Sequence, residues 1–582
     1  MYRQILDPVA GSLALTAIFA ALPLVTLFVL LGVARMQAWL ASLIALVIAT
    51  AVAVVVYPMP VSQALLATSE GAAFGFFPIL WIVINALWIY NMTVTTGHFH
   101  VLRRSFARIS DDQRVQAVII AFSFGALLEA LAGFGTPVAI TSVMLIALGF
   151  RPLKAAVVAL VANTAPVAFG ALAVPITTLA TVTGLPEADL GSMVGRQTPV
   201  LGVFVPLVLV ALIDGRRGVR QTLPVTLVAG VSFALAQYAT SNFVSVPLTD
   251  IVASLVSLGA TVGLLQVWHP ARPTAETEPT TATPGPLPGP AAPAGPLAER
   301  QFDATTSSGT APVSGTGRQA SGVATLDLAP NAGADSRADV ARAYAPYLII
   351  IAVFVIAQIP AVKAALTAVT VTVNWPGLHI QTPTGAPSTL PTYTLNWLAA
   401  GGSLLIISGL LTMPVLRIRP LQAWRAYVGT YRQLVAAIVT VMAVLALAYV
   451  MNASGQTATL GTWMAGAGGL FAIIAPVLGW LGVAVTGSDT SSNSLFGALQ
   501  VAAAGRAGLD PLLLAAANSS GGVLGKMVSP QNLAIAAAAV GMSGREGDIF
   551  RKVIVWSLVF LALMAALVAL QATDVLSWMV VH

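Results

Sequence analysis

Glu129-Ala130-Leu131-Ala132-Gly133-Phe134-Gly135-Thr136-Pro137 interrupts an otherwise unbroken apolar run with a lone carboxylate, two glycines and a proline. Glycine loses the most conformational entropy in a helix, and proline removes a donor and clashes with the preceding turn, so a helix stops here. In hydrocarbon, unpaired backbone groups are costly, and non-helical backbone survives at membrane depth only where protein surrounds it or it lines a watery cavity. The break is therefore expected to line a cavity.

The same punctuation returns late in the chain, at Gly487-Ser488-Asp489-Thr490-Ser491-Ser492-Asn493. Gly125 stands eleven residues before Thr136, and Gly479 eleven before Thr490. Downstream, Asn163, Gly170 and Pro175 are seven and five apart, as are Asn518, Gly525 and Pro530, and the Thr-to-Asn gaps are 27 and 28. Agreement at helix-breaking residue types predicts an internal repeat.

Only 8% of the residues are charged and 57% are hydrophobic, against roughly 25% charged in soluble domains, so the chain is a polytopic membrane protein in a lipid bilayer. The net charge of +6 comes from Arg and Lys in short loops between apolar spans, which is the positive-inside bias and implies no nucleic-acid partner. With no cysteine there is no disulfide or thiolate metal site. The first apolar run, near 10–32, lacks a cleavage site and is expected to be a retained helix.

Apolar stretches of about 20 residues cross a membrane. They fall near 10–32, 38–57 and 74–96, and the arginines that follow place the N-terminus outside. The unit 115–149 carries basic residues at both ends, which predicts a re-entrant hairpin with its tip at 133–137. A broken helix at 155–182 leads outward and a span at 198–213 returns. These make a first half, 1–215, followed by two connecting helices in 216–268. Residues 269–342 are rich in Pro, Gly, Ala, Thr and Ser and cannot bury enough surface to fold, so a disordered cytoplasmic linker is expected. The second half, 343–582, brings spans near 344–362, 396–413 and 433–451, a short external β-hairpin around 371–374, a hairpin at 461–504, a broken helix at 511–540 and a last span at 553–571. The fold predicted is all-α and polytopic, with about twelve transmembrane helices plus two re-entrant hairpins entering from opposite faces. Inverted repeats with broken helices at the midplane are a recurring plan of secondary transporters.

Intramembrane acids suggest ion or proton sites. Asp489, at the second tip, is a proton-coupling candidate or an N-cap of the helix behind it. Glu129 is a second proton-coupling candidate, or a structural partner of a neighbouring arm. Lys526 needs a counter-charge, which an anionic substrate or Asp489 would supply, unless the side chain snorkels to the cytoplasmic face. Asn163 and Asn518 sit where their helices unwind and are candidate substrate ligands or polar glue between helices. Gly135, Thr136 and Ser491 open helices whose N-termini would favour a small anion. His98 and His100 belong to a basic loop, and Glu70 reads as an exposed carboxylate at a helix end. No nucleotide loop, metal spacing or nucleophile arrangement occurs, so no enzyme, cofactor or metal is predicted, and energy must come from an ion gradient.

The motifs Leu128 to Ile140, Thr486 to Asn493 with Leu495 to Gln500, and Gly521 to Asn532 resemble the bacterial L-lactate permease family, over about 10–571 and excluding the linker. The resemblance implies a bacterial plasma-membrane secondary transporter of lactate and glycolate, driven by protons. Proton symport of small 2-hydroxymonocarboxylates is the leading expectation. Sodium coupling and a passive anion channel are the alternatives, and a homo-oligomer is left open.

Overall fold

The computed structural model describes residues 1–270 and 335–581, apart from 35, 108, 111, 132, 134, 389, 543 and 544. Most of the predicted linker, 271–334, lies outside the described residues. Its last part does not follow the expectation: Asp335 pairs with Arg104 at 2.6 Å, and the helix Arg337–Gln358 begins inside the predicted linker.

Among the described residues, ten helical runs are long and apolar enough to cross a membrane, or eleven if one bent pair counts as a span. The run Glu187–Phe243 holds 57 residues, about twice what one crossing needs. It folds back at Gly215, where φ is 60° and ψ is −152°. The helices Leu13–Phe28 and Ala38–Val55 turn large apolar side chains such as Ile18 and Val47 outward, as lipid-facing helices do. Past Gln113, the run Gln113–Leu131 is wholly buried instead.

That buried helix and Thr136–Ala147 form an antiparallel hairpin. At its open end Gln113 Nε2 donates to the Leu148 carbonyl at 2.8 Å, and nearer the tip Gly125 lies against Thr141. The tip turns at Gly135, with φ +79°, where a Cβ would collide with Ile535. In the second hairpin Phe471–Thr486 returns as Asp489–Ala507: Ser492 Oγ donates to the Gly479 carbonyl at 3.0 Å and Gln500 Nε2 to the Ala475 carbonyl at 3.1 Å. Enclosure by other helices is what lets the broken backbone exist at this depth.

Each hairpin packs on the broken helix of the other half. The first tip rests on Pro530–Ala539 through Gly135 and Ile535. The second lies on Gly170–Thr183, where Gly497 meets Leu179 and Val182 and Asn493 Nδ2 donates to the Pro175 carbonyl at 3.1 Å. The first broken helix bends by 65° between Pro152–Ala162 and Val167–Thr183. Within its second piece Ala171, Leu172 and Ala173 hold φ of 45°, 56° and 60°, a left-handed turn that costs about 1–2 kcal/mol per residue and is held by the packing around it.

Two expectations are corrected, and the external β-hairpin is found with an added strand pair. The third span begins earlier, as a run Val61–Thr95 broken at Phe77, because Gly71 and Gly75 let the polar segment around Gln63 and Thr68 pack backbone to backbone against Ala446 and Met442. Glu70 is consequently fully buried and not exposed at a helix end. The β element at Val371–Asn374 pairs antiparallel with Thr392–Leu395, and the chain between them supplies a second strand, Ile380–Gln381, beside Tyr2–Arg3.

Loop contacts fall into two groups. One is rich in basic residues: Arg114 binds Asp112 at 2.7 Å and Asp214 at 2.9 Å, and Lys154 Nζ donates to the Ile213 carbonyl at 2.9 Å. The other gathers the Tyr2 hydroxyl on the Tyr57 and Ser454 carbonyls, Gln63 on the Gly377 carbonyl, and Arg196 on the Met579 carbonyl.

Candidate functional site

A cavity of about 1280 Å³ opens where the two hairpin tips meet the two broken helices. Glu129, Asp489 and Lys526 all line it, with Thr136 and Ser491 from the helix starts behind the tips.

Glu129 ends the buried arm of the first hairpin and Lys526 opens the one-turn break after Pro511–Gly525. Lys526 Nζ donates to Glu129 Oε1 at 2.5 Å, and the side chains are 8% and 3% exposed. Lys526 therefore neither snorkels nor bonds Asp489, and the cavity carries a neutralised pair. Asn163 Nδ2 donates to the other oxygen, Glu129 Oε2, at 3.0 Å. Gly170 completes the cradle, since a Cβ there would lie 2.8 Å from Glu129 Oε1.

Asp489 has a different shell. Ser488, not Asp489, caps the following helix by accepting from the Ser491 N–H at 3.3 Å. The Asp489 carboxylate is thereby left for tertiary contacts: Oδ2 accepts from Ser519 Oγ at 2.6 Å and Asn493 Nδ2 at 3.4 Å. Oδ1 is buried with no hydrogen-bond partner and lies over Gly522, whose missing side chain makes room for it. Asn518 Nδ2 donates to Asn493 Oδ1 at 2.9 Å, and Gln500 Nε2 to Asn518 Oδ1 at 3.1 Å, which fixes the second tip.

Of the residues singled out from sequence, Glu129, Asp489, Lys526, Thr136 and Ser491 meet in one cavity. Gly135 lies buried beneath Ile535, Asn163 reaches Glu129, and Asn518 reaches Asn493. Asn163 and Asn518 are placed to orient other groups. Ser519, Asn493 and the Pro175 carbonyl were not singled out as site residues; a serine next to Asn518 in a glycine-rich apolar helix was the available signal. His98 Nδ1 lies 2.9 Å from Thr96 Oγ1, and His98 is not among the residues that line the cavity.

Fold and cavity together put the chain in the class of polytopic helical membrane proteins with a cavity walled by broken helices. It belongs to the L-lactate permease family, whose description matches residues 16–286 and 311–575. The chain is 39% identical over its full length to an "L-lactate permease" of Bacillus subtilis (strain 168), and 38% identical to one of Escherichia coli (strain K12), covering all of both relatives. It is 39% identical to "Glycolate permease GlcA" of Escherichia coli (strain K12), over 97% of this chain and 96% of that one. The family match runs into both ends of 269–342, so the stretch outside it is 287–310, shorter than the linker expected to fall outside.

Proposed function

We propose that the chain is a secondary active transporter that carries L-lactate and related small 2-hydroxymonocarboxylates, D-lactate and glycolate among them, in symport with protons. The substrate class is supported by the names of the full-length relatives. The coupling is supported by one observation, the Glu129–Lys526 pair inside the cavity.

With Glu129 ionised, Lys526 already has its counter-charge, and a small anion entering the cavity gains little. A proton on Glu129 removes that charge and leaves a buried ammonium whose desolvation only another anion compensates. The substrate carboxylate takes the place of the glutamate, and proton plus anion cross as a neutral load. Asn163 holds the Glu129 carboxyl beside Lys526 throughout, and Thr136 and Ser491, which line the cavity, offer their hydroxyl groups to the substrate's 2-hydroxyl and carboxylate. The two hairpins, entering from opposite faces, would gate the cavity alternately.

The full chain in proteoliposomes tests this. An acid-outside pH step is expected to drive accumulation of lactate and glycolate but not of a dicarboxylate, and an imposed Na⁺ gradient is expected to drive none. A second reading, sodium coupling, is favoured by the unpartnered Asp489 Oδ1 among hydroxyl and amide groups, and accumulation driven by Na⁺ alone would establish it. Equilibration without accumulation under either gradient would mark a passive anion channel.

A further inference from the structure

One more buried carboxylate stands beside this machinery. Asp250 lies in the first turn of the helix Thr249–Val267 and is wholly buried. Its Oδ1 accepts from Gln237 Nε2 at 2.8 Å, while Oδ2 is buried with no partner. An ionisable group in a membrane span with half its bonding capacity unused is a functional candidate by default.

Its depth follows from the helix directions. Arg114 contacts Gln221, and the tilted rings of Phe122 and Phe233 lie 4.9 Å apart, so the first hairpin arm runs parallel to the second part of Val205–Phe243. Ser257 Oγ donates to the Ala229 carbonyl at 3.0 Å and Gln237 to Asp250, so Thr249–Val267 runs antiparallel to both. Ser123 Oγ and Ser257 Oγ meet at 3.0 Å, which sets the two helices in register. From that level Glu129 lies six residues up one helix and Asp250 seven residues up the other, roughly 9 Å and about 10 Å at the α-helical rise. The two carboxylates therefore stand at nearly one depth on packed helices.

Polar groups lead part of the way between them. Gln237 Nε2 also reaches the Ala165 carbonyl at 3.4 Å, in the unwound stretch that begins at Asn163, the residue bonded to Glu129. Thr198 Oγ1 donates to Gln237 Oε1 at 3.4 Å, and Thr164, Ala165 and Thr198 line a separate cavity of about 10 Å³, the room of one water. On its other side Asp250 follows a turn in which Phe243 and Val244 are exposed, at the end away from Arg216, Arg217 and Arg220.

We infer that Asp250 is the proton station between the arginine-poor face and Glu129. The inference rests on the proton-coupled reading above. Asp250 takes a proton from water at that face and gives it to Glu129: the Asp250 carboxyl becomes a carboxylate, the Glu129 carboxylate becomes a carboxyl, and water reprotonates Asp250. Glu129 is the ionisable group that faces Asp250 from the hairpin arm. Gln237 faces it from Val205–Phe243, whose charged residues lie at the opposite end, while Val118–Phe124, Val246–Leu248 and Gly170–Thr183 carry none. Asp250 touches no substrate and is a positioning residue for the proton.

The test compares wild type, Asp250→Asn and Asp250→Glu in proteoliposomes, reading pH-step-driven lactate uptake and lactate/lactate exchange at equal pH. Exchange keeps the proton on the carrier, so Asp250→Asn is expected to leave it within about twofold while slowing pH-driven uptake at least about tenfold, and Asp250→Glu is expected to restore the uptake. Asp250→Asn uptake equal to wild type, or loss of both activities with no rescue by Asp250→Glu, overturns the assignment while wild-type coupling stands. A wild type that does not respond to the pH step removes the assignment together with the coupling it rests on.

Discussion

Lys526 Nζ and Glu129 Oε1 stand 2.5 Å apart although 397 positions separate them in the chain. The bond joins the first hairpin to the broken helix of the second half, so any movement of one hairpin must keep, exchange or break an ion pair buried in the cavity wall.

Glu129→Gln keeps the size of the side chain but holds no exchangeable proton. It is expected to abolish pH-driven accumulation while lactate/lactate exchange persists and lactate binding loses its pH dependence, since Lys526 is permanently available to the anion. Isothermal binding at two pH values and a pH-step uptake assay check both halves. Asp489→Asn is expected to retain more accumulation than Glu129→Gln, because Asp489 does not bond Lys526; the reverse order would move the coupling proton to Asp489.

Lys526→Gln leaves Glu129 in a buried site without its cation, a change that costs about 3–5 kcal/mol when only one partner is removed. Weakened lactate binding and a lowered melting temperature are expected together. The double variant Glu129→Gln/Lys526→Gln should recover most of the stability and none of the binding. Recovery of binding in the double variant would mean that the anion is held by helix ends and amides alone.

Gly170 has φ −63° and ψ 154°, an ordinary extended backbone that alanine adopts without strain. Its Cβ would sit 2.8 Å from Glu129 Oε1, so Gly170→Ala is expected to push Glu129 off Lys526, free the ammonium for the anion and lower the KM for lactate with little loss of fold. A variant with wild-type KM would show that the cradle tolerates the methyl group and that the pair is less constrained than its contacts imply.

The basic loop group and the opposite loop group should lie on different sides of the membrane. Cysteines at the exposed positions Arg217 and Thr384, in a chain with no cysteine of its own, are expected to label from opposite faces, Arg217→Cys from the cytoplasm. Labelling of both from one face would sink the inverted arrangement of the two hairpins.

Removing 287–310, the stretch outside the family match, is expected to leave lactate uptake and membrane abundance near wild type, because a flexible segment of this composition makes few obligatory contacts. Lost uptake at normal abundance would assign the segment a role.

The sequence by itself located the crossings, both glycine-broken tips, the matched spacings of the two halves, and the acids and lysine that line the cavity. It could do so because a helix in lipid satisfies its backbone internally, so any glycine, proline or charge within an apolar run stands out against a strong constraint. What only the tertiary structure decided is who meets whom. Lys526 bonds Glu129 and not Asp489, Ser488 takes the capping role open to Asp489, and Asn163 and Asn518 orient other side chains. Glu70 is buried because two glycines one turn apart admit a neighbouring helix to its polar segment, and Asp250 reaches the depth of Glu129 because the register of two packed helices puts it there. Such pairings depend on the shapes of facing helix surfaces far apart in the chain, and local periodicity carries no information about which surfaces will face each other.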